Sequence, residues 1–360
     1  MNNNKLIAVF AVVIIVAAGA GAVYLLTRDN GAEENTIIDA RGREVVVPDE
    51  INSILAIKSC SLQLVSYFEA VEKVAWLDVN ESFTDTGRTH TFILKDLLKD
   101  LDKVDPANHE AVAATKVDII ISSTISTAVL DEEQNKYGIP VFAINADVEF
   151  DSEIMYQQLR SLGKLFKEEK RAEELVSGIR SLVSGISDNV DKVDGVTAYA
   201  CGMNFFGAAA KPFERTSGDY LPFVYSKVDN AFPSSANKQP YNTTQEAVIA
   251  KNPQMIFIDG IGANTVKTYI QANYGTLKLI DAVSNGEIYK TMIYKNWGTN
   301  WLNQLINVYY VASIVHEGEF SWIFEDKANE IIQLFYPGTS VTYSGLAAAQ
   351  AGGGCGKITL

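Results

Sequence analysis

Apolar residues along this chain fall into two patterns that alternate. Short runs with little polar interruption, Ile54–Ile57, Val74–Leu77, Asp118–Ser122, Pro140–Ile144, Val196–Ala200, Met255–Ile258 and Ile288–Thr291, read as buried strands. Segments with helical spacing lie between them: Ser61–Ala70, Asn108–Thr115, Leu130–Tyr137, Gln245–Lys251 and Thr265–Asn273. This alternation predicts an α/β fold with parallel sheets covered by helices on both faces. Thr36–Pro48 predicts a hairpin that turns at Arg41-Gly42. The strongest helical signal is central, over Ser152–Ser187. There Ala172, Leu175, Val176, Ile179, Leu182, Val183 and Ile186 recur at spacings of three and four, with charged residues on the other face. About 20 residues from Glu168 would span roughly 30 Å, so the spacing predicts one long, stiff connector between two lobes. Trp301–Val315 and Trp322–Phe335 are two closing helices, and Gly/Ala-rich Pro337–Leu360 is expected to be a disordered tail.

An ungapped internal repeat supports two lobes of like topology. Glu110-Ala-Val-Ala-Ala-Thr-Lys-Val-Asp-Ile-Ile-Ile121 overlies Glu246-Ala-Val-Ile-Ala-Lys-Asn-Pro-Gln-Met-Ile-Phe257. Each copy is a short helix that opens on a glutamate and runs into a buried strand. A carboxylate in that position is also favoured by the helix dipole alone. Ligands of open parallel sheets sit beyond the C-terminal ends of the strands, so two such lobes facing each other would enclose a cleft.

Composition narrows the partners. A net charge of −14 with no basic run excludes a nucleic-acid partner. Three cysteines, Cys60, Cys201 and Cys355, do not make a disulfide framework. Leu6–Leu26 is 21 residues without a charge, long enough to cross a bilayer core of ~30 Å. It is read as a retained transmembrane anchor, with cleavage as a secretory signal within Ala17–Ala22 as the alternative. Either way the remainder is exported. The expected organisation is an anchor over 1–28, a linker over 29–36, an N-terminal α/β lobe over 37–150, the connecting helix over 151–188, a C-terminal α/β lobe over 189–336 and the tail over 337–360.

Catalytic signatures fail. No G-x-G-x-x-G follows a strand. Gly352–Lys357 lacks the first glycine and the Ser/Thr of a phosphate loop, and His109-Glu110 has Ala113 where a zinc helix needs its second histidine. Cys60 and Cys201, at strand ends, can ligate a soft metal or serve as small apolar residues. Aromatic residues are dense and non-periodic over Phe205–Tyr241 and again near Trp297. Rings in loops beside a cleft suit flat, bulky ligands, whereas rings in a core merely fill it. Lys211, Arg215 and Lys295 lie among them, and Arg88 lies in a first-lobe loop; such cations pair with carboxylates or metal-bound oxygens.

Taken in order, several segments resemble those of the ABC-transporter solute-binding proteins for iron complexes, cobalamin and haem. Ile38–Pro48 is similar to their opening hairpin, and Asn108–Ala114 with Val117–Ile121 to a first-lobe helix and strand. Leu162–Leu175 is similar to the start of their linking helix, and Ile314–Phe320 to their closing segment. The resemblance spans Ile37 to about Tyr336. It implies two Rossmann-like lobes joined by one rigid helix, with limited closure on ligand. It also implies that Glu110 and Glu246 dock into a membrane permease, one from each lobe. The family's cobalamin binders carry Trp before each glutamate; here Val104 and Tyr241 stand nearest those places. The expected function is therefore capture of an iron siderophore or related metal chelate, without catalysis or cofactor, by a monomer that delivers it to an ABC permease and its ATPase. Cys60, Arg88, Tyr199, Phe206, Arg215, Tyr220, Tyr241 and Trp297 are the expected ligand contacts. A binder of free metal or an oxyanion such as molybdate is the first alternative, and an enzyme with a nucleotide or sugar cleft the second.

Overall fold

The computed structural model describes residues 35–84, 87–203, 211–234, 240–350 and 353–360. The expected anchor Leu6–Leu26 and most of the 29–36 linker lie outside the described residues. Among the described residues no helix is long and apolar enough to cross a membrane.

The predicted hairpin is β1 (Thr36–Ile38) and β2 (Glu44–Val46), paired antiparallel. Its turn is closed by Asp39, whose Oδ1 accepts from the N–H groups of Arg41 and Arg43. The first lobe is a five-stranded parallel sheet in the order β5-β4-β3-β6-β7. Its strands are β3 (Ile54–Ile57), β4 (Val74–Asp78), β5 (Lys103–Val104), β6 (Ile119–Ser122) and β7 (Val141–Ala143). The uninterrupted apolar runs of β3 and β6 are buried throughout, as strands covered on both faces require. The second lobe repeats the plan with β8 (Thr197–Cys201), β9 (Arg215–Thr216), β10 (Asp229–Asn230), β11 (Tyr241–Asn242), β12 (Met255–Ile258), β13 (Ile288–Lys290) and β14 (Gly356–Lys357). Its main sheet runs β10-β8-β12-β13-β14, parallel except for β14, while β9 and β11 form a small antiparallel pair.

The internal repeat is structural. Moving from Glu110 to Glu246 carries the strand Ile119–Ser122 onto Met255–Ile258, and the helix start His109 onto Gln245. The capping residues also correspond. The Asn108 side chain accepts from Ala111 N–H, and Thr244 Oγ1 accepts from Ala247 N–H, each satisfying a donor that the helix leaves open. β6 lies beside β3, and β12 lies beside β8, at the same point of each sheet.

Two expectations need correction. The connector is not one rod: a helix over Glu153–Phe166 ends at Lys167 in a left-handed conformation (φ 60°), and a second helix runs over Glu169–Ser187. Arg180 meets Glu153 at 2.5 Å, Arg160 meets Glu173 at 2.6 Å, and Gly163 abuts Ala172. Contacts that converge on the turn mean that the two helices fold back as an antiparallel hairpin. The Glu168 carboxylate accepts from Glu69 N–H at 2.9 Å and Ala70 N–H at 3.0 Å, which ties the turn to the first lobe. The tail is ordered in its described part. It forms a helix over Tyr343–Ala349, with Tyr343 and Leu346 buried, followed by the edge strand β14. Its Gly/Ala content conceals a few well-placed apolar anchors.

Residues 36–360 form one compact unit, because the closing helices are shared. Trp301–Val315 is buried on every side as far as Ala312, as an all-round apolar helix must be. It packs with the Phe324–Phe335 helix into a core that includes Tyr67, Phe68 and Leu162 of the first half of the chain. Tyr67 lies 4.7 Å from Phe335 and 5.6 Å from Tyr336, ring centre to ring centre. Arg171 clasps this junction from the hairpin, donating to the carbonyls of Tyr67, Leu334 and Phe335.

The hairpin contact has a direct test. A Cβ at Gly163 would lie 2.6 Å from Ala172 Cβ and within 3.3 Å of the Glu168–Glu169 backbone. Gly163→Ala is expected to lower unfolding free energy by about 1–3 kcal/mol through overpacking. Gly275→Ala, in open space on another helix, is expected to be neutral or to gain up to about 1 kcal/mol. Urea denaturation of both variants measures the difference.

Candidate functional site

The lobes meet along a seam built mainly by the loop that follows β13, residues 291–300. Past Thr291, whose N–H donates to Ile258 O of β12, no strand among the described residues pairs with this loop, so its backbone groups need other partners. Carboxamides on the adjoining buried helix supply them. Asn307 accepts from Met292 N–H and donates to Met292 O, both at 2.9 Å, and Asn303 donates to Ile293 O at 2.9 Å. Asn300, at the helix start, donates to Ile293 O at 3.2 Å. From the other side, Asp259 at the end of β12 accepts from Tyr294 N–H at 2.8 Å and Ile261 N–H at 2.9 Å. Asp259 is fully buried, and that burial pushes its carboxyl up to about 7 despite the two amide donors.

So fixed, the loop reaches the first lobe at several points. Thr299 Oγ1 donates to Ala146 O at 2.8 Å, Trp301 Nε1 donates to Val148 O at 2.8 Å, and Lys295 pairs with Asp147 at 3.1 Å. Thr299 N–H donates to Cys60 Sγ at 3.2 Å. Gly298 (φ 99°) lies so close to that sulfur that no side chain could fit there.

Between these contacts lies a crevice of about 240 Å³, walled from both lobes. Asn145, Asp147, Val148, Glu149, Ser152 and Ile154 come from the segment after β7. Ser217, Asp219, Leu221, Pro240, Tyr294, Lys295, Thr299 and Gln304 come from the second half. The walls from 145–149 and 294–299 follow the C-terminal ends of the parallel strands β7 and β13, where this type of sheet binds ligands, and the rest come from the small β9–β11 pair and the helices. A larger surface groove of about 620 Å³ lies near Tyr274, Gly286 and Lys357, away from the seam.

The expected contact residues divide into three groups. Arg88 and Trp297 are brought together across the seam, with the guanidinium carbon 5.1 Å from the ring centre. Arg88 also donates to Asn80 O at 2.7 Å and lies 3.5 Å from Glu81. Arg215 and Tyr241 are half-buried at the small β9–β11 pair and held locally: Arg215 donates to Met203 O and Asn242 Oδ1, and Tyr241 donates to Phe232 O. Cys60, Tyr199 and Tyr220 are sealed. The Tyr199 hydroxyl donates to Phe213 O and that of Tyr220 to Thr291 Oγ1, so both rings belong to the second-lobe core. Burial pushes the Cys60 thiol up to about 12, which keeps it protonated. Phe206 lies outside the described residues. Glu110 and Glu246 are both exposed, each in the first turn of its capped helix.

Most crevice residues carry no sequence signal, because they sit in loops without period. Lys295 stood out as a cation among aromatics. Asp147, Glu149, Asp219 and Gln304 are recognisable only once the strands are in place.

Comparison with known proteins agrees with this architecture. Residues 67–292 match a family model described as periplasmic binding protein, and the chain belongs to that family. Proteins of this type work with an ABC permease and its ATPase. A periplasmic solute-binding protein of Veillonella parvula superposes with a TM-score of 0.69 at 16% identity, covering 85% of this chain and 94% of that one. MolA of Haemophilus influenzae, solved with molybdate bound, gives 0.65 at 17%, covering 86% and 99%. CeuE of Helicobacter pylori, solved with Ni(II) bound, gives 0.60 at 15%, covering 84% and 96%. At these identities the likeness is one of fold. Curated protein sequences contain no match.

The raised pKa of Asp259 generates a pH signature. The folded state favours the protonated acid, so this contribution is complete below the unfolded value of about 3.9. It is lost as pH rises through about 7. Unfolding free energy should therefore fall between pH 4 and pH 7 by roughly 1.4 kcal/mol per unit of pKa difference. Asp259→Asn should flatten that slope, as read from denaturation curves at each pH.

Proposed function

We propose that this protein captures a metal chelate of the iron-siderophore class in the crevice between its lobes and hands it to an ABC importer, without chemistry of its own. The observation that carries this reading is the crevice itself, walled from both lobes at the strand ends and braced by the 291–300 loop. Ligand identity does not follow from the fold; MolA and CeuE share it with different bound species. One feature favours a ligand that arrives already chelated: the Cys60 thiol is buried and protonated instead of open to a metal. Arg88, buried against Glu81, stacks near Trp297 beside the seam.

Delivery would use Glu110 and Glu246. The repeat places one exposed carboxylate on each lobe at equivalent positions, so a permease that contacts both senses their relative placement. Ile125 and Ile261 are equivalent by the same repeat and are also exposed, at 78% and 36%. The run Leu6–Leu26 would tether the protein to the outer face of the cell membrane.

Intrinsic Trp/Tyr fluorescence of the purified protein should show saturable one-to-one quenching by one member of a panel of ferric siderophores, haem, cobalamin and molybdate. A response to molybdate or bare metal alone would instead favour an ion binder, and turnover of a substrate would favour an enzyme. Reversing both glutamates, Glu110→Arg with Glu246→Arg, should abolish transport and leave affinity within about twofold, well under the tenfold of 1.4 kcal/mol. A loss of affinity would move these residues into the binding site.

A further inference from the structure

Resting on the capture role above, we propose that Thr89 and Gln350 are positioning residues for the crevice, and that they couple docking of the C-terminal tail to ligand capture.

One buried line of hydrogen bonds runs from the tail to the seam loop. Gln350, at the end of the Tyr343–Ala349 helix, donates from Nε2 to Thr89 Oγ1 at 3.1 Å. Thr89, which opens a first-lobe helix over Thr89–Ile93, donates its hydroxyl proton to Asn303 Oδ1 at 2.7 Å. Asn303 Nδ2 then donates to Ile293 O at 2.9 Å. Thr89, Asn303 and Gln350 are all buried, so water does not compete for these groups. The sense of the line is fixed by chemistry. A hydroxyl has one proton to give, and Thr89 gives it to Asn303. Asn303 must therefore keep its oxygen toward Thr89 and its NH2 toward the loop. Neither Thr89 nor Gln350 belongs to the crevice walls, but Tyr294 and Lys295, which follow Ile293 directly, do.

The tail grips the same loop at two further points. β14 pairs with β13, whose chain continues into the loop, and Ile358 N–H donates to Ile288 O at 2.8 Å. Cys355 Sγ lies 3.6 Å from Asn307 Oδ1, the oxygen that also accepts from Met292 N–H. Tyr343 joins the tail helix to this point, its hydroxyl accepting from Cys355 N–H at 2.8 Å. From the first lobe, Gly87 O accepts from Asn300 Nδ2 at 3.3 Å, which sets the segment that carries Thr89 against the same helix. Connected buried polar groups rigidify what they join, and removing one from the middle orphans its neighbours. Without the Thr89 hydroxyl, Asn303 Oδ1 loses the donor that keeps the carboxamide aimed at Ile293. Binding free energies are reciprocal. A ligand seated against Tyr294 and Lys295 therefore favours the docked tail by as much as the docked tail favours the ligand.

Amide hydrogen exchange on the intact protein tests the positioning role without any ligand. Thr89→Val keeps the side-chain shape and removes the hydroxyl. It should speed exchange of a peptide covering 291–300 about tenfold, the scale of one buried hydrogen bond, and leave β8 and β12 within about twofold of the native protein. Gln350→Leu should free the loop in the same way. Thr89→Ser, which keeps the hydroxyl, should stay within about twofold throughout. Unchanged exchange of 291–300 in Thr89→Val, or equal acceleration of the two strands, overturns the positioning role. Should Thr89→Val fail to fold, Gln350→Leu decides by the same comparison. Calorimetry against ferric siderophores, haem, cobalamin and molybdate tests the coupling. The probe that the native protein binds should bind Thr89→Val about tenfold more weakly, and it should slow exchange over 343–349 in the native protein. Equal affinity overturns the coupling. If no probe binds the native protein, the capture role and the coupling fall together, and exchange alone judges the positioning of the loop.

Discussion

A row of carboxamides on one buried helix holds the seam of this protein in shape. Past Thr291 the segment after β13 leaves the sheet, and no strand among the described residues pairs with it. Asn300, Asn303 and Asn307 take over the role of a strand edge, meeting the carbonyls and the amide that the loop would otherwise leave unpaired. The helix can do this because it has no exposed face as far as Ala312, so its polar side chains have nowhere else to turn. Tyr294 and Lys295 take their places in the crevice from this arrangement, and the contacts of Thr299 and Trp301 with the first lobe depend on it as well.

Much of the scaffold was legible from side-chain spacing. Buried parallel strands are continuous apolar runs, and the duplicated Glu-Ala-Val segment marked matching points of the two sheets before either was seen. The connector was misjudged because its break carries no glycine: Lys167 adopts the left-handed turn, and the apolar period continues on both sides of it. The clue lay instead in Gly163, which permits the close approach to Ala172. The tail was misjudged because composition averages away Tyr343 and Leu346.

The candidate site was less legible than the scaffold, for a physical reason. Tyr199 lies in β8, within the apolar run that reads as a buried strand, whereas Tyr220 precedes a short helix in a stretch without period. The crevice walls are made of single polar residues from distant loops, and only the fold brings Asp147 to Asp219 or Glu149 to Gln304. Arg88 and Trp297 could be marked as unusual residues, but their meeting across the seam depends on the loop that the carboxamides hold.

The contact between Gly298 and Cys60 gives the molecule a built-in clock. The thiol is buried, its protonated form is strongly favoured, and a neighbouring backbone presses on the sulfur. An alkylating reagent can reach it only during an excursion that parts the loop from the first lobe. When reclosing outpaces reaction, the rate of modification counts the population of parted molecules, much as amide exchange does for a hydrogen bond. A ligand that bridges the lobes would slow that clock, so with Cys201 and Cys355 replaced the breathing of the seam can be timed at Cys60 alone.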